Sequence, residues 1–550
     1  MSKELNELRI QQARGTRETS TGSSTSAHSR EGSSSVTQPT EAGYNENFDF
    51  SEQTVQIGGV AVASETAVEA FKIFAARIHP QLPILGSISI NDIYRSSPLL
   101  FWVIIIVVSS HTTIPTDEHL YNAIALPFQN MLRSEAMKAP LPISKIQALL
   151  FMCMWPMPID SQPKDPSWLY CGMAVNSAIY MGLHRFGPPP TSRGLGTPAG
   201  TRLERILTWL GCFYVSGTLA MHLGVPSMIN TSADLSLLTS KLSEFSIPQD
   251  FAAEVRLQAI FADFTNVLSH SANNGGAIDS SILHLLDHEL ENLKAQYPDQ
   301  WAHKLEYNSL VGKIHIYAWV VSRDHTKRTT RDIMLKLCLS TSIRIVHLAN
   351  RHFKDEEEST PDTPELARLS PVLRFRSMAK TYFKGIAFIT AFLLRYFSLN
   401  TSATGEEQQL AANHVVIAHA IMKSCSLYPT DEYGRAARTF EELCQQTPIF
   451  VDTQSERTHV GMAARTLIQS MKAAILPRTA TPLLASNECL IPATLPIAPT
   501  TATGPPRTMS PSAFVGGGMA QPLDLDPFSN DMGFLGQYWN NPFDAFFEQP

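Results

Sequence analysis

The residues that could do chemistry fall in three short stretches, and each lacks part of the pattern its chemistry requires. In HLLDHE, His284 and His288 share one helical face, but the stretch is not the His-Glu-x-x-His arrangement of zinc proteases. GLGTPAG, residues 194–200, has the composition of a phosphate loop, yet it follows three prolines and has no Lys-Ser or Lys-Thr. RDHTKRTTR, residues 323–331, is basic but contains no aromatic residue that could stack on a base. We therefore predict solvated histidines, two surface segments, no catalytic residue and no cofactor.

The cysteines do not form a metal-binding pattern either. No two of them are close enough in sequence to make a zinc knuckle, and most lie in apolar helical stretches. The first twenty residues are polar rather than signal-like, so we expect a reducing compartment and free thiols. The seven cysteines are Cys153, Cys171, Cys212, Cys338, Cys425, Cys444 and Cys489.

Charge and hydropathy exclude further classes of function. A net charge of -7 gives this chain no electrostatic attraction of its own to nucleic acid or to an anionic membrane. The longest apolar run, PLLFWVIIIVV, residues 98–108, is about half as long as the roughly twenty residues that span a bilayer. We predict that this run is a buried core helix and not a membrane anchor.

Helical periodicity dominates from about Thr66 to Leu476 and predicts an all-α fold, a large multi-helix domain. One helix is expected to begin at Asp165 and Pro166, which suit a cap and a first turn, and to end before Gly187. Apolar residues cover almost its whole circumference, so we expect this helix to be buried nearly all round.

Composition divides the chain into three parts. Residues 1–58 are rich in Ser and Thr and are expected to be disordered. Residues 59–476 are the predicted helical domain, and residues 477–550 are a Pro/Thr-rich linker followed by an acidic-aromatic segment. Within the first part, KELNELRIQQ, residues 3–12, could belong to the end of a coiled coil, although we interpret it as a solvated helical turn.

The acidic-aromatic segment has the composition of an activation segment. Residues 508–550 contain no Lys or Arg, and acidic residues alternate with large apolar ones. The acidic residues keep the aromatic side chains from collapsing on one another and leave them available for a partner's groove. The alternative is a tail that packs back on the domain. The candidate docking residues are Phe528, Phe534, Leu535, Trp539, Phe543, Phe546 and Phe547.

Five segments together resemble the regulatory domain of fungal zinc-cluster transcription factors, the fungal-specific transcription factor domain. Their order and spacing over about 160 residues carry the resemblance, since none is distinctive alone. The segments are FKIFAARIHPQLPIL (71–85), YRSSPLLFWVIIIVVSS (94–110), ISKIQALLFMCMWPMP (143–158), DPSWLYCGMAVNSAIYMGLHR (165–185) and RLERILTWLGCFYVSGTLAMHLGVPSMI (202–229).

The chain departs from that family's pattern in two respects. The last segment has Ser216 and Gly217 where the family usually has Asp-Arg, and Val225 where Arg is common, so a more apolar interior is expected. The family's zinc cluster needs six closely spaced thiolates, and the first cysteine of this chain is Cys153 in a predicted core helix. We therefore predict no metal site.

The resemblance implies a nuclear transcription regulator rather than an enzyme. We expect a pathway-specific activator of a metabolic or secondary-metabolite gene set. Its expected partners are the transcriptional machinery or a coactivator, through the tail, together with another DNA-binding transcription factor or a second copy. Contact with DNA would be indirect unless a zinc cluster is encoded upstream. Two alternatives remain, a truncated gene product and a DNA-binding-deficient coregulator. A helical enzyme is a third, but no activated residue supports it.

Overall fold

The computed structural model describes residues 45–445, except 140, 160–163, 187–199, 231, 246, 274–280, 302, 322–327, 355–369, 401 and 428–430. Sixteen α-helices and four short strands occur in these residues, which confirms the all-α fold class. The sequence patterns of 1–44 and 446–550 lie outside the described residues. The predicted end of the helical domain at 476 therefore stays a prediction.

Four short strands precede or interrupt the first helices: β1 Asn45–Asn47, β2 Thr54–Ile57, β3 Val60–Ala63 and β4 Ser87–Ser89. β1 pairs with β4 in parallel, and β2 pairs with β3 in an antiparallel hairpin. Gly58 and Gly59 close the hairpin with φ of 53° and 87°, as a two-residue hairpin turn requires. Because Val55 and Ile57 are buried in the core, the boundary that we placed at residue 58 comes too late.

The first half of the domain is built around α3, α5 and α7, which pack side by side. α3 is buried at every position from Leu99 to Val108, which explains a run with no polar face and confirms the predicted core helix. The helices are α1 Ser64–Ile73, α2 Ile90–Ser96, α3 Pro98–His111, α4 Leu120–Ala136, α5 Ile143–Met154, α6 Ser167–Tyr180 and α7 Arg202–Leu223. A π-turn, Phe74–Ile78, and a 3-10 turn, His79–Gln81, follow α1.

The central helix α7 has well-defined ends. The Thr201 side chain accepts the Glu204 backbone N–H at 3.1 Å, and the Glu204 carboxylate accepts the Thr201 N–H at 2.8 Å, which is a capping box. Gly224 ends the helix with φ of 70°. Among the described helices α7 alone is long and apolar enough to cross a membrane, but 94% of that stretch is buried among other helices. We interpret it as a core helix.

The second half of the domain packs onto the same core. α9 and α14 lie against α7 and join the two halves, while α11, α12, α14 and α15 form the remaining layer. The helices are α8 Ser232–Glu244, α9 Gln249–Asn273, α10 Ser281–Gln296, α11 His303–Val321, α12 Arg328–Lys354, α13 Pro371–Arg376, α14 Lys380–Leu399, α15 Gly405–Cys425 and α16 Glu432–Gln445.

Helix α6 differs from its prediction at its end and in its burial. It stops at Tyr180 because Gly182 adopts φ of 67° and the Leu183 N–H turns back to the Ala178 carbonyl at 2.9 Å. Arg205 of α7 binds the turn that follows the helix, since its guanidinium donates to the Gly182 oxygen at 2.9 Å. The expectation of burial nearly all round is wrong, since Leu169 is 70% exposed.

Candidate functional site

A buried ionic cluster connects the start of α6 to α14. The Asp165 carboxylate accepts the Ser167 N–H at 2.9 Å, which confirms its predicted place at the start of the helix. The same carboxylate lies 2.8 Å from the Lys380 Nζ and 3.5 Å from the Lys384 Nζ. The two lysines are one turn apart on α14, so both ammonium groups reach the same carboxylate, and Glu432 adds a second negative charge near Lys384.

The pKa values in this cluster follow from its charges. Burial alone would raise the pKa of Asp165, but the two ammonium groups outweigh it and hold the pKa of that carboxyl well below its usual range. Burial and the neighbouring Lys380 lower the pKa of Lys384. The segment KTYFK places two cations on one face of an otherwise apolar helix, and this pattern could have predicted a buried ionic contact that our sequence analysis did not predict.

Thiols beside the cluster are poor nucleophiles. The Cys153 Sγ donates to the Ser167 carbonyl at 3.2 Å, and burial raises the pKa values of Cys153 and Cys212. A buried thiol with a raised pKa stays protonated and cannot attack a substrate or bind a metal. Among the described residues no group of three His, Cys, Asp or Glu side chains could hold a metal ion.

Two more ion pairs with buried carboxylates lie in other parts of the fold, away from the segment where a more apolar interior was expected. Arg376 of α13 lies 3.2 Å from Asp431 and donates to the Cys425 carbonyl at 2.8 Å. Glu254 of α9 lies 3.6 Å from Lys304 of α11 and accepts from the Asn308 amide. These charges connect helices that are far apart in sequence. All four residues lie outside the five segments that resemble the family.

The structure gives a steric reason for Gly217. A Cβ at this position would lie 2.5 Å from the Gln258 Nε2 and 2.8 Å from its Cγ, so α7 and α9 approach closely here. The neighbouring Ser216 hydroxyl lies 3.2 Å from the Ser227 hydroxyl. A larger side chain at 217 would therefore require the Gln258 side chain to move.

Acid is expected to weaken the fold between about pH 6.5 and 4 through His79. Burial lowers the pKa of His79 to about 4, so in this window the unfolded chain binds a proton that the folded chain does not. The free energy of unfolding should therefore fall by about 1 kcal/mol per pH unit for this residue as pH decreases. His79→Asn should reduce this dependence of the unfolding free energy on pH, measured by urea unfolding at several pH values. His288→Asn, on the exposed face of α10, should not, and equal slopes in the two variants would contradict the prediction.

An open groove of about 650 Å³ runs between the β2–β3 hairpin and helices α2, α3 and α4. Tyr94, Pro98, Trp102 and Met131 give it an apolar lining, and Asn130 adds a polar side chain. No charged residue lines it. Its lining can hold an uncharged apolar group, and Gln56 and Ser134 add further polar side chains without a charge.

The structure describes only some of the candidate residues that the sequence analysis named. His284 and His288 are exposed on α10, as expected for solvated histidines. Residues 194–199 of the phosphate-loop-like stretch and residues 323–327 of the basic run lie outside the described residues. All seven candidate docking residues of the tail also lie outside the described residues. They are Phe528, Phe534, Leu535, Trp539, Phe543, Phe546 and Phe547.

Comparison with known proteins indicates a family, which the geometry of the described residues does not. Residues 71–333 match the fungal specific transcription factor domain. The matched region is therefore a domain of that family, as the five segments predicted. The matched region includes the last residues of α1, all of α2 to α11 and the first residues of α12, and all five segments that carried the resemblance lie in or next to these helices. No solved structure gives a significant match.

Three curated relatives extend the family assignment. The chain is 27% identical over 309 residues to a SEF1 protein of Eremothecium gossypii, covering 55% of this chain and 29% of that protein. It is 31% identical over 248 residues to the transcriptional regulatory protein SEF1 of Candida albicans, covering 43% and 26%. It is 25% identical over 291 residues to the regulatory protein LEU3 of Saccharomyces cerevisiae, covering 48% and 32%. The chain thus spans only about a quarter to a third of these relatives, which are transcription regulators and not enzymes.

Proposed function

We propose that this transcription regulator is a nuclear, pathway-specific activator of a metabolic or secondary-metabolite gene set. Membership of the fungal specific transcription factor domain family is the observation that carries the proposal. The buried ion pairs and high-pKa thiols support a scaffold role for the helical domain. The acidic-aromatic composition of residues 508–550 supports activation, through a coactivator or the transcriptional machinery.

We propose that contact with DNA is supplied by a partner or by a zinc cluster encoded upstream. Cys153, Cys171 and Cys212 are buried core residues, and the chain has no cysteine before them. The net charge of -7 also disfavours phosphate contacts by this chain alone. Transcript reads that extend into a cysteine-rich exon would favour the truncated product, and their absence would favour a coregulator that joins another DNA-binding factor or a second copy.

The full chain fused to an unrelated DNA-binding module is expected to activate a reporter gene through its tail. Trp539→Ala combined with Phe543→Ala should reduce activation at least about ten-fold, because a buried aromatic anchor contributes about 2 kcal/mol or more. Asp524→Asn should have a small effect, since a rim charge contributes about 1 kcal/mol or less. Reporter output is compared at equal protein level.

Two outcomes would contradict this mechanism. A fusion that is inert, also when only residues 508–550 are attached, would leave the tail as a packing element and favour the coregulator. Activation that is lost with Asp524→Asn but unchanged by the aromatic substitutions would assign recognition to charge instead.

A further inference from the structure

Helix α6 carries an apolar surface that the described residues leave uncovered, which we call the α6 face. It consists of Leu169, Met173, Ile179 and Tyr180, with Met228 beside it. Leu169 is 70% exposed, Tyr180 is 69% exposed and Ile179 is 44% exposed. A Cβ built on Gly172 would touch only the Met228 Cε, at 3.7 Å, so the face has a shallow depression between its side chains. No residue of α6 is charged, and the face is apolar except for Asn176, which is exposed between Leu169 and Tyr180.

We propose that residues 458–476 of the same chain dock on the α6 face as an amphipathic helix. In this segment apolar residues recur at intervals of three and four, while Arg465, Gln469 and Lys472 fall on the opposite side. Pro477 sets its end. The apolar stripe consists of Val460, Ala464, Leu467, Met471 and Ile475.

The dimensions of the two partners match. The α6 face is about 17 Å long from Leu169 to Tyr180, and the apolar stripe from Val460 to Ile475 would be about 22 Å long as a helix. Uncharged apolar side chains meet on both surfaces, and the cations of the segment point away from α6. Docking would therefore bury the exposed part of Leu169 and Tyr180 without desolvating a charge.

The chain leaves the described structure close enough to α6 for this contact. Arg435 in the first turn of α16 donates to the Ile159 carbonyl at 2.7 Å, in the loop that precedes α6. α16 is about 20 Å long, and the residues from Gln445 to Thr458 can extend over about 40 Å. The segment can thus reach the α6 face from either direction along α16.

The size of the α6 face favours a tethered occupant over a second copy. A strip about 17 Å long and about 10 Å wide has on the order of 170 Å², whereas a stable interface needs about 800 Å² from each partner. A segment on the same chain has an effective concentration in the millimolar range and can occupy so small a surface.

Hydrogen exchange on the full chain tests the proposal. Residues 460–475 should exchange at least about ten-fold more slowly than an unprotected peptide. Leu169→Glu should abolish this protection, because it puts a charge on the exposed α6 face without entering the core. Leu126→Glu is the matched control, since Leu126 is equally solvent-exposed, at 65%, but lies on α4. It should leave the protection unchanged.

The reciprocal substitutions distinguish the other occupants. Leu467→Asp should speed exchange in α6, whereas Gln469→Asp, on the polar side of the segment, should not. Residues 460–475 that exchange freely in the unaltered chain would overturn the proposal. So would α6 protection that depends on protein concentration, which would assign the face to a second copy.

Discussion

Asp165→Asn is expected to lower the free energy of unfolding by about 3 to 5 kcal/mol, because it removes the carboxylate that pairs with the buried Lys380 ammonium group. The carboxylate pairs with both Lys380 and Lys384, and its replacement by an amide keeps the size of the side chain but removes the charge. The effect should be visible in urea unfolding as a lower midpoint with an unchanged slope.

Asp287→Asn is the matched control for this substitution. Asp287 pairs with Lys313 at 2.7 Å, but the carboxylate side chain is 42% exposed, so its loss should cost less than about 1 kcal/mol. Equal losses in the two variants would show that burial does not decide the energy of these pairs. A double variant with Lys380→Met should recover part of the loss, since it removes the ammonium group whose carboxylate partner was replaced.

The pH dependence of the Asp165 contribution has a definite sign. The folded pKa of this carboxyl is depressed, so its stabilising contribution is complete above the unfolded pKa of about 4 and is lost as pH falls below it. The loss from His79 occurs at higher pH, above about 4. Asp165→Asn should therefore flatten the stability curve only in the more acidic window.

Gly312→Ala is expected to lower the free energy of unfolding by about 2 kcal/mol, because two helices touch at this position. A Cβ on Gly312 of α11 would lie 2.1 Å from the Cε2 of Phe261 and 2.2 Å from its Cζ, so the buried ring of α9 must move. The gain of up to about 1 kcal/mol in helix propensity is too small to offset the clash.

Gly172→Ala provides the comparison within another helix. Its Cβ would meet only the Met228 Cε, at ordinary contact distance, so this variant should be neutral or more stable by up to about 1 kcal/mol. Adding Phe261→Leu to Gly312→Ala should restore part of the lost stability, since it opens space for the new methyl group. Thermal unfolding of the four proteins measures these differences, and a stable Gly312→Ala variant would contradict a rigid α9–α11 contact.

Local signals were sufficient for several helices. The apolar run at 98–108 is the buried α3, and the segment that begins at Arg202 is the central α7. In each case the residues that decide the structure are neighbours in sequence, as with the capping box of Thr201 and Glu204.

Other features depend on partners that are distant in sequence. Gly182 lies among apolar residues at helical spacing, so only its positive φ shows that α6 ends there. Asp165 and Lys380 are 215 residues apart, and no local pattern pairs them. The exposure of Leu169 could not be predicted either, because the local sequence does not show whether another element of the fold covers an apolar side chain.

The ionic contact between the start of α6 and α14 shows that the region shared within the family is shorter than the part of the chain that must fold together. The family match ends at residue 333, inside α12, whereas the lysines that neutralise Asp165 follow it. A gene fragment that encodes the matched region alone would yield a polypeptide in which Asp165 lacks its lysine partners and α12 is cut after its first six residues. Stop codons between α12 and α16 should consequently behave as null alleles, even though they spare every residue by which the family is recognised.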